Sequence, residues 1–368
     1  MASFKQKEID EFYMKIAIDL ANIGTSTTSP NPKVGCVIVR DGKIIGQGSH
    51  LIFGEAHAEV NALINAKNDI KNSTVYITLE PCSHQGKTPA CAKMLIEKNV
   101  SRVVVGMIDP NPMVNTQGLK MLQKKGIDVT TGILEKECRW LNRGFLRSIK
   151  LKRPWVTIKV AMSIDGKIAL SDGSSKWITT ATSRQKVHIL RSENDAILTG
   201  VGTILADNPE LTVRLVQGNS PIKVIIDREL KTPLEANIFK EGKILIFTSK
   251  KAPIKKIKQF KSRGVCIEII DSSPENQIKL ILNKLCEYGI NYLLVEAGAK
   301  ITSAFLSAKL VDEVSLFISP KFMGKGLSFT EHLLISDMSQ SIRLKEVEYH
   351  NIGEDILLEG VLECSPEL

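Results

Sequence analysis

Aromatic residues are scarce in this 368-residue chain, at 5% of the total. Proteins that hold unstacked bases rely on aromatic platforms interleaved with basic residues, and no such interleaving occurs here. No apolar run approaches the ~18 residues that a membrane-spanning helix needs, so no membrane partner is expected. The opening stretch MASFKQKE is charged and has no apolar core of a signal peptide. A cytoplasmic location follows as an expectation. A disulfide framework does not, because seven cysteines are an odd number and a reducing compartment keeps thiols free. In such a compartment, cysteines clustered with histidine point to metal binding or catalysis. Internal repeats and low-complexity segments are also lacking.

What remains is an ordinary globular composition, 43% hydrophobic and 24% charged, with length enough for about two domains. The net charge of +9 raises nucleic acid as a partner. The basic residues are dispersed, however. Their densest group, Lys250, Lys251, Lys255, Lys256, Lys258 and Lys261, has the spacing of one helix's wet face.

Apolar positions at helical spacing predict a helix over residues 8–24, with Gly24 as its C-cap. Strands at 34–39 and 43–48 flank Asp41-Gly42, a strong hairpin signal. Helices near 58–68, 90–98 and 117–125 then alternate with strands at 74–79, 102–107 and 127–131, the pattern of a layered α/β sheet. The basic segment WLNRGFLRSIKLKRP interrupts this pattern, and the domain boundary is expected near residue 148, giving domains 1–147 and 148–368. A second α/β series follows. Its expected strands begin at Trp155 and recur at 196–199, 222–227, 244–248, 265–270, 292–296 and 313–318. Helices are expected near 181–192, 275–288 and 299–309, and residues 343–364 read as a hairpin turned at 351–354.

His57, Cys82 and Cys91 stand out in the first half, in His57-Ala58-Glu59 and in PCSHQGKTPAC. Imidazole and thiolate hold Zn²⁺ tetrahedrally, and three protein ligands leave a fourth position for water, which becomes a usable nucleophile near neutral pH. Glu59, two residues beyond His57, is placed to carry protons from attacking water to a leaving nitrogen. This division of labour is that of the zinc deaminases. Taken singly, each residue reads as a cap or a packed side chain; their order at strand–helix connections favours the metal. His84 competes as a ligand but lies within the loop. Cysteines 36, 138, 266, 286 and 364 default to packing.

In the second half, Asp165-Gly166 and Asn208-Pro209 read as turns, and Gly200-x-Gly202 as a bend after a strand. The third glycine of a dinucleotide fingerprint is missing, so a Rossmann fold is not inferred. Arg191 and Arg214 suit a phosphate, which guanidinium forks grip bidentately. The helix start after Glu296-Ala297-Gly298 favours an anionic group.

The string TLEPCSHQGKTPAC, with Asn31-Pro32-Lys33-Val34-Gly35, His50 and Asp109-Pro110-Asn111-Pro112, resembles the deaminase domain of the bifunctional riboflavin-biosynthesis deaminase/reductase family. The wider likeness is to the cytidine deaminases, although Cys82 and Cys91 are further apart than C-x-x-C. The resemblance implies that His57, Cys82 and Cys91 hold zinc, Glu59 transfers protons, and Asn31 and His50 contact the pyrimidine. Thr116 stands where the family usually carries glycine. The second half resembles the reductase domain of that family. This implies a dihydrofolate-reductase-like fold using NADPH, lined by Ala161, Trp177, Thr203, Asp207 and the turn from Gly298. Ser175, Arg191, Leu211, Arg214 and Glu296 would line the ribosyl phosphate. Ala297 takes the place of a second glycine, and Arg228 is either a contact to the cofactor's 2′-phosphate or a solvent-facing side chain.

The expected fold class is therefore α/β, a cytidine-deaminase-like layered domain followed by a dihydrofolate-reductase-like domain. The activity implied is zinc-dependent hydrolytic deamination of 2,5-diamino-6-ribosylamino-4(3H)-pyrimidinone 5′-phosphate, then NADPH-dependent reduction of its ribosyl to a ribityl chain. The expected partners are small pyrimidine ribosyl phosphates and further copies of the chain, with no nucleic acid. Two rivals stand beside this reading: a tRNA-type zinc deaminase with an accessory domain, and a structural zinc protein with a nucleotide-binding module.

Overall fold

In a computed structural model, residues 2–66, 69–83, 90–111 and 115–368 are described, and they divide after Leu151 into two compact units. The expected boundary near 148 falls inside a helix that continues to Leu151.

The first unit runs α1 (Ala2–Asn22), β1 (Gly35–Arg40), β2 (Lys43–Ser49), α2 (Ala58–Asn65), β3 (Thr74–Leu79), α3 (Cys91–Glu97), β4 (Arg102–Met107), α4 (Gln117–Lys124), β5 (Asp128–Thr131), α5 (Glu135–Leu141) and α6 (Arg143–Leu151). Its sheet has the order β2-β1-β3-β4-β5. β1 pairs antiparallel with both β2 and β3, whereas β3, β4 and β5 are parallel. Alternating side chains of β1 explain the three layers. Cys36 and Ile38 pack with α2, α3 and α4, while Val37 and Val39 pack with α1, Cys138 and Leu146 on the other face.

The Asp41-Gly42 turn takes φ values of 53° and 70°, which match the twist of a two-residue hairpin. Gly24 departs from its expected role. Helix α1 ends at Asn22, and Gly24 is not in the left-handed region; a Cβ there would crowd the carbonyls of His50 and Ala21. Close approach, not capping, selects glycine at this position.

The second unit runs β6 (Trp155–Ser163), β7 (Lys167–Leu170), α7 (Ala181–Glu193), β8 (Ala196–Gly200), α8 (Val201–Asp207), β9 (Ile222–Ile226), β10 (Ile244–Thr248), α9 (Ile254–Ser262), β11 (Cys266–Ile269), α10 (Pro274–Glu287), β12 (Tyr292–Val295), α11 (Ala299–Ser307), β13 (Glu313–Ser319), β14 (Gly326–Ser328), β15 (Leu344–Ile352) and β16 (Asp355–Leu362). Its nine-stranded sheet is ordered β11-β10-β9-β8-β12-β6-β13-β16-β15, and β7 and β14 form a small ribbon. Neighbours from β11 to β13 are parallel; β16 and β15 add the antiparallel hairpin expected at 343–364. One face is covered by α10 and α11, the other by α7, α8 and α9.

Gly200-x-Gly202 is a strand-to-helix junction, since α8 starts at Val201. Asn208 closes that helix in the left-handed conformation that asparagine tolerates at a helix end. The lysine cluster lies on and just before α9, which buries Phe260. Of the five cysteines assigned to packing, Cys36 and Cys138 are buried and Cys286 is half-buried, but Cys266 and Cys364 are exposed. Among the described residues, no helix is long and apolar enough to cross a membrane.

Candidate functional site

Two strand–helix connections build the first site. His57 caps α2 and Glu59 sits in that helix's first turn; Cys82 follows β3, and Cys91 opens α3. The His57 Nδ1 lies 3.3 Å from Cys91 Sγ and 3.7 Å from Cys82 Sγ. A tetrahedral metal with Zn–N of ~2.05 Å and Zn–S of ~2.3 Å would separate such atoms by ~3.6 Å. The donor set and its spacing therefore fit zinc, and all three ligand atoms lie within 4.8 Å of one another. His84 lies outside the described residues.

A hydrogen bond from Cys91 holds the Cys82 thiol down to about 4, helped by His57, and the same contact pushes Cys91 up. The hydrogen bond to Cys82 raises the His57 pKa. Glu59 is buried, and burial followed by the Cys82 charge raises its pKa, which suits a carboxyl that must take up and release a proton.

His50 and Asn31 are brought to the same place. The His50 ring stands edge-on to His57, with centroids 5.7 Å apart. Its Nδ1 donates to the Ala56 carbonyl at 3.0 Å, which leaves Nε2 to accept from Asn31 Nδ2 at 3.3 Å. Asn142 fixes the Asn31 loop by a reciprocal pair, accepting from the Lys33 N–H at 2.8 Å and donating to its carbonyl at 2.9 Å.

Glu80 was not singled out by sequence. This buried carboxylate accepts the backbone N–H groups of Asp109, Thr116 and Gly118 at 3.0 to 3.3 Å. Thr116 takes φ 60°, which explains why glycine suits this position.

The second site is assembled pairwise from distant segments. Arg191 on α7 grips Glu296 bidentately, at 2.7 Å from Nε and 3.0 Å from Nη2, and donates Nη1 to the Thr212 carbonyl at 3.1 Å. Thus Arg191 does not present an open fork to a phosphate. Arg214 does stand half-exposed, its guanidinium 3.4–3.5 Å from Thr212 and Glu210. Thr203 Oγ1 accepts the Gly298 N–H at 3.2 Å, and Ser175 donates to Asp207 at 3.1 Å. Ala161 and the buried Leu211 pack against one core face. Trp177 is 64% exposed, with the Arg184 guanidinium 4.4 Å from its ring centre and its carbonyl held by Lys321. Arg228 is exposed, and Asp227 is buried as a turn organiser bonded to Lys231 and Thr232.

Sequence reasoning gave Lys159 no role. Its Nζ lies 3.5 Å from Glu296, and burial lowers its pKa against the pull of that carboxylate. Burial also pushes Glu296 up, but Arg191 and Lys159 outweigh it and hold the carboxyl down to about 2. The available signal was a lysine inside the mostly apolar stretch 155–162, where an unpaired charge would be costly.

These features define a class: a zinc deaminase of the cytidine type combined in one chain with a dihydrofolate-reductase-like reductase. Residues 7–107 match the family model for the cytidine and deoxycytidylate deaminase zinc-binding region, and residues 154–358 match the RibD C-terminal domain. The riboflavin biosynthesis protein RibD of Aquifex aeolicus is 41% identical over 355 residues, 96% of this chain and 98% of that protein. Its counterpart in Escherichia coli is 37% identical, over 95% of this chain and 98% of that one. A Thermotoga maritima crystal structure, a diaminohydroxyphosphoribosylaminopyrimidine deaminase/5-amino-6-(5-phosphoribosylamino)uracil reductase, superposes with a TM-score of 0.87 at 38% identity, covering 97% and 99% of the two chains. The chain belongs to the RibD family of riboflavin biosynthesis proteins. It is a bifunctional deaminase and reductase that uses zinc in the first activity and NADPH in the second.

Proposed function

We propose that residues 1–147 deaminate the diaminopyrimidine ribosyl phosphate and that residues 148–368 reduce the ribosyl group of the aminouracil so formed. The observation that carries the first assignment is the His57–Cys82–Cys91 donor set with a buried carboxyl, Glu59, in the adjoining helical turn. Zinc held by those three residues supplies Lewis acidity that makes water nucleophilic near neutral pH. Glu59 takes the proton of the attacking water and delivers it to the departing amine, which leaves as ammonia. The Asn31–His50 pair orients the pyrimidine by hydrogen bonds.

In the reductase, NADPH supplies the hydride. Thr203, Asp207, Ala161, Trp177 and the turn from Gly298 bind the cofactor, while Ser175, Leu211 and Glu296 line the ribosyl chain. Arg214 takes the 5′-phosphate, and Arg191 holds Glu296 in place. The opened sugar carries a C1–N double bond that needs one hydride and one proton. Lys159 Nζ is favoured as the proton donor over Asp207, because burial brings a lysine towards a useful acidity.

The substrates are small pyrimidine ribosyl phosphates and the setting is the cytoplasm, with no nucleic acid or membrane partner and with the chain acting as a homo-oligomer. Incubation with the diaminopyrimidine phosphate and NADPH, following ammonia and NADPH oxidation separately, tests both activities. Ammonia released from an RNA oligonucleotide instead would favour the tRNA-type alternative. An oxygen ligand seen at the metal by X-ray absorption would exclude a closed structural site.

A further inference from the structure

The segment carrying Arg214 is not part of any strand, so its backbone groups must find partners elsewhere. They find them on side chains. The Thr212 carbonyl accepts from Arg191, the Val213 N–H donates to Ser220 Oγ at 3.0 Å, and the Arg214 N–H donates to His188 Nδ1 at 3.1 Å. His188 and Arg191 are one turn apart on α7, so a single helix face clamps residues 212 and 214. Leu211, at the start of this segment, is buried with φ 53°, which turns the chain into the clamp.

His188 is only 4% exposed. Because the Arg214 N–H is the donor, Nδ1 must be bare and the ring proton resides on Nε2. The groups that face the ring enforce this neutral state. Burial, then Arg191 and Arg214, bring its pKa down to about 4, with Lys159 adding to them and Glu296 opposing. An imidazolium could not accept this hydrogen bond, so the surrounding cations preserve the acceptor.

We propose that His188 is a positioning residue of the reductase, which fixes the Arg214 backbone so that the guanidinium meets the substrate's 5′-phosphate. This rests on the reading of Arg214 as the phosphate ligand. It assigns the arginine's placement to α7, where Arg191 is committed to Glu296 and is not available for the same task.

The test uses the full chain with zinc and NADPH, and compares the ribosylaminouracil 5′-phosphate with its dephosphorylated nucleoside as reductase substrates. His188→Leu removes the acceptor and should raise KM for the phosphate about tenfold, the scale of a part-buried N–H left without its partner. Its kcat should stay within about twofold, and KM for the nucleoside should not change. His188→Asn places Oδ1 near the lost Nδ1 and should restore KM. His188→Gln carries its acceptor further out and should behave like the leucine variant. Binding of NADPH reports whether the reductase is folded; if the leucine variant fails to bind it, the Asn and Gln pair decides. Equal KM values for Asn and Gln, or equal losses on both substrates, overturn the proposal. Arg214→Ala separates the two readings. If it leaves the phosphate KM unchanged, the phosphate assignment fails and this inference with it. If it raises KM while His188→Leu does not, only the role of His188 is refuted.

Discussion

Glu296→Gln isolates the charge network that holds the reductase site together. The substitution keeps the size of the side chain and its ability to hydrogen-bond, but it removes the negative charge that faces Arg191 and Lys159. Arg191 cannot shed its proton, whereas Lys159 can, so the uncompensated charge falls mainly on the arginine. The Glu296 carboxyl is held down to about 2 against an ordinary value of 4.5. That gap is worth ~3 kcal/mol of folding stability at neutral pH, and it matches the ~3–5 kcal/mol expected when one partner of a buried pair is removed. For a unit of this size the loss corresponds to a fall of about 6–12 °C in Tm. The pH dependence has a definite sign. A depressed carboxyl pKa stabilises fully above the unfolded value of 4.5 and loses that contribution as pH falls through about 2. The difference between the native chain and Glu296→Gln should therefore be constant from pH 7 to about 5 and shrink to ~1.4 kcal/mol at pH 3. Urea denaturation of the reductase transition at pH 7, 5 and 3 measures it. A difference below ~1 kcal/mol at pH 7, or one that fails to narrow in acid, would refute the reasoning.

Glu59→Gln should lower ammonia release by about 10²–10⁴ while bound zinc, measured by metal analysis, and NADPH oxidation on supplied aminouracil phosphate stay unchanged; retained deamination would sink the assigned role. Treatment with a zinc chelator should abolish ammonia release, leave NADPH oxidation intact, and be reversed by added Zn²⁺; loss of both activities would contradict separate sites. Thr116→Gly relieves a left-handed threonine, a gain of ~1–2 kcal/mol, offset by ~0.5–1 kcal/mol for the freer unfolded chain. The deaminase transition should thus rise slightly in urea, and a loss above ~1 kcal/mol would show that the threonine side chain is itself needed.

The first site was legible because its chemistry is written in rare residue types close together in sequence. His57 and Glu59 share one helix start, and Cys82 and Cys91 are nine residues apart. His57 and Cys91 are still 34 residues apart, and it is the shared metal-ligand chemistry of imidazole and thiolate that groups the two stretches. The β1–β2 hairpin was legible for the same local reason, since Asp41-Gly42 accepts positive φ at both turn positions. Helix α8 was not, because seven residues after a glycine carry too few apolar repeats to be told from a bend. Gly24 misled in the opposite way: a glycine after an apolar helix suggests a cap, whereas here it makes room for the His50 carbonyl.

The reductase site is different in kind, because its function depends on who pairs with whom. Glu296 and Arg191 are 105 residues apart, Thr203 and Gly298 are 95 apart, and Ser175 and Asp207 are 32 apart. What joins them is strand order. β12 lies between β8 and β6, although it follows both by nearly a hundred residues or more in sequence, and the carboxylate at its end therefore lands beside Lys159. Periodicity reveals that β12 exists but carries no information on where it inserts. An arginine read alone is a candidate phosphate fork; once β12 is in place, the same guanidinium is occupied by Glu296 and the Thr212 carbonyl. On the proposed reading the phosphate falls to Arg214, the half-exposed guanidinium whose backbone is bonded to His188 on α7. In this sheet the crossover, more than the residue type, decides which arginine is occupied within the protein and which keeps an exposed guanidinium.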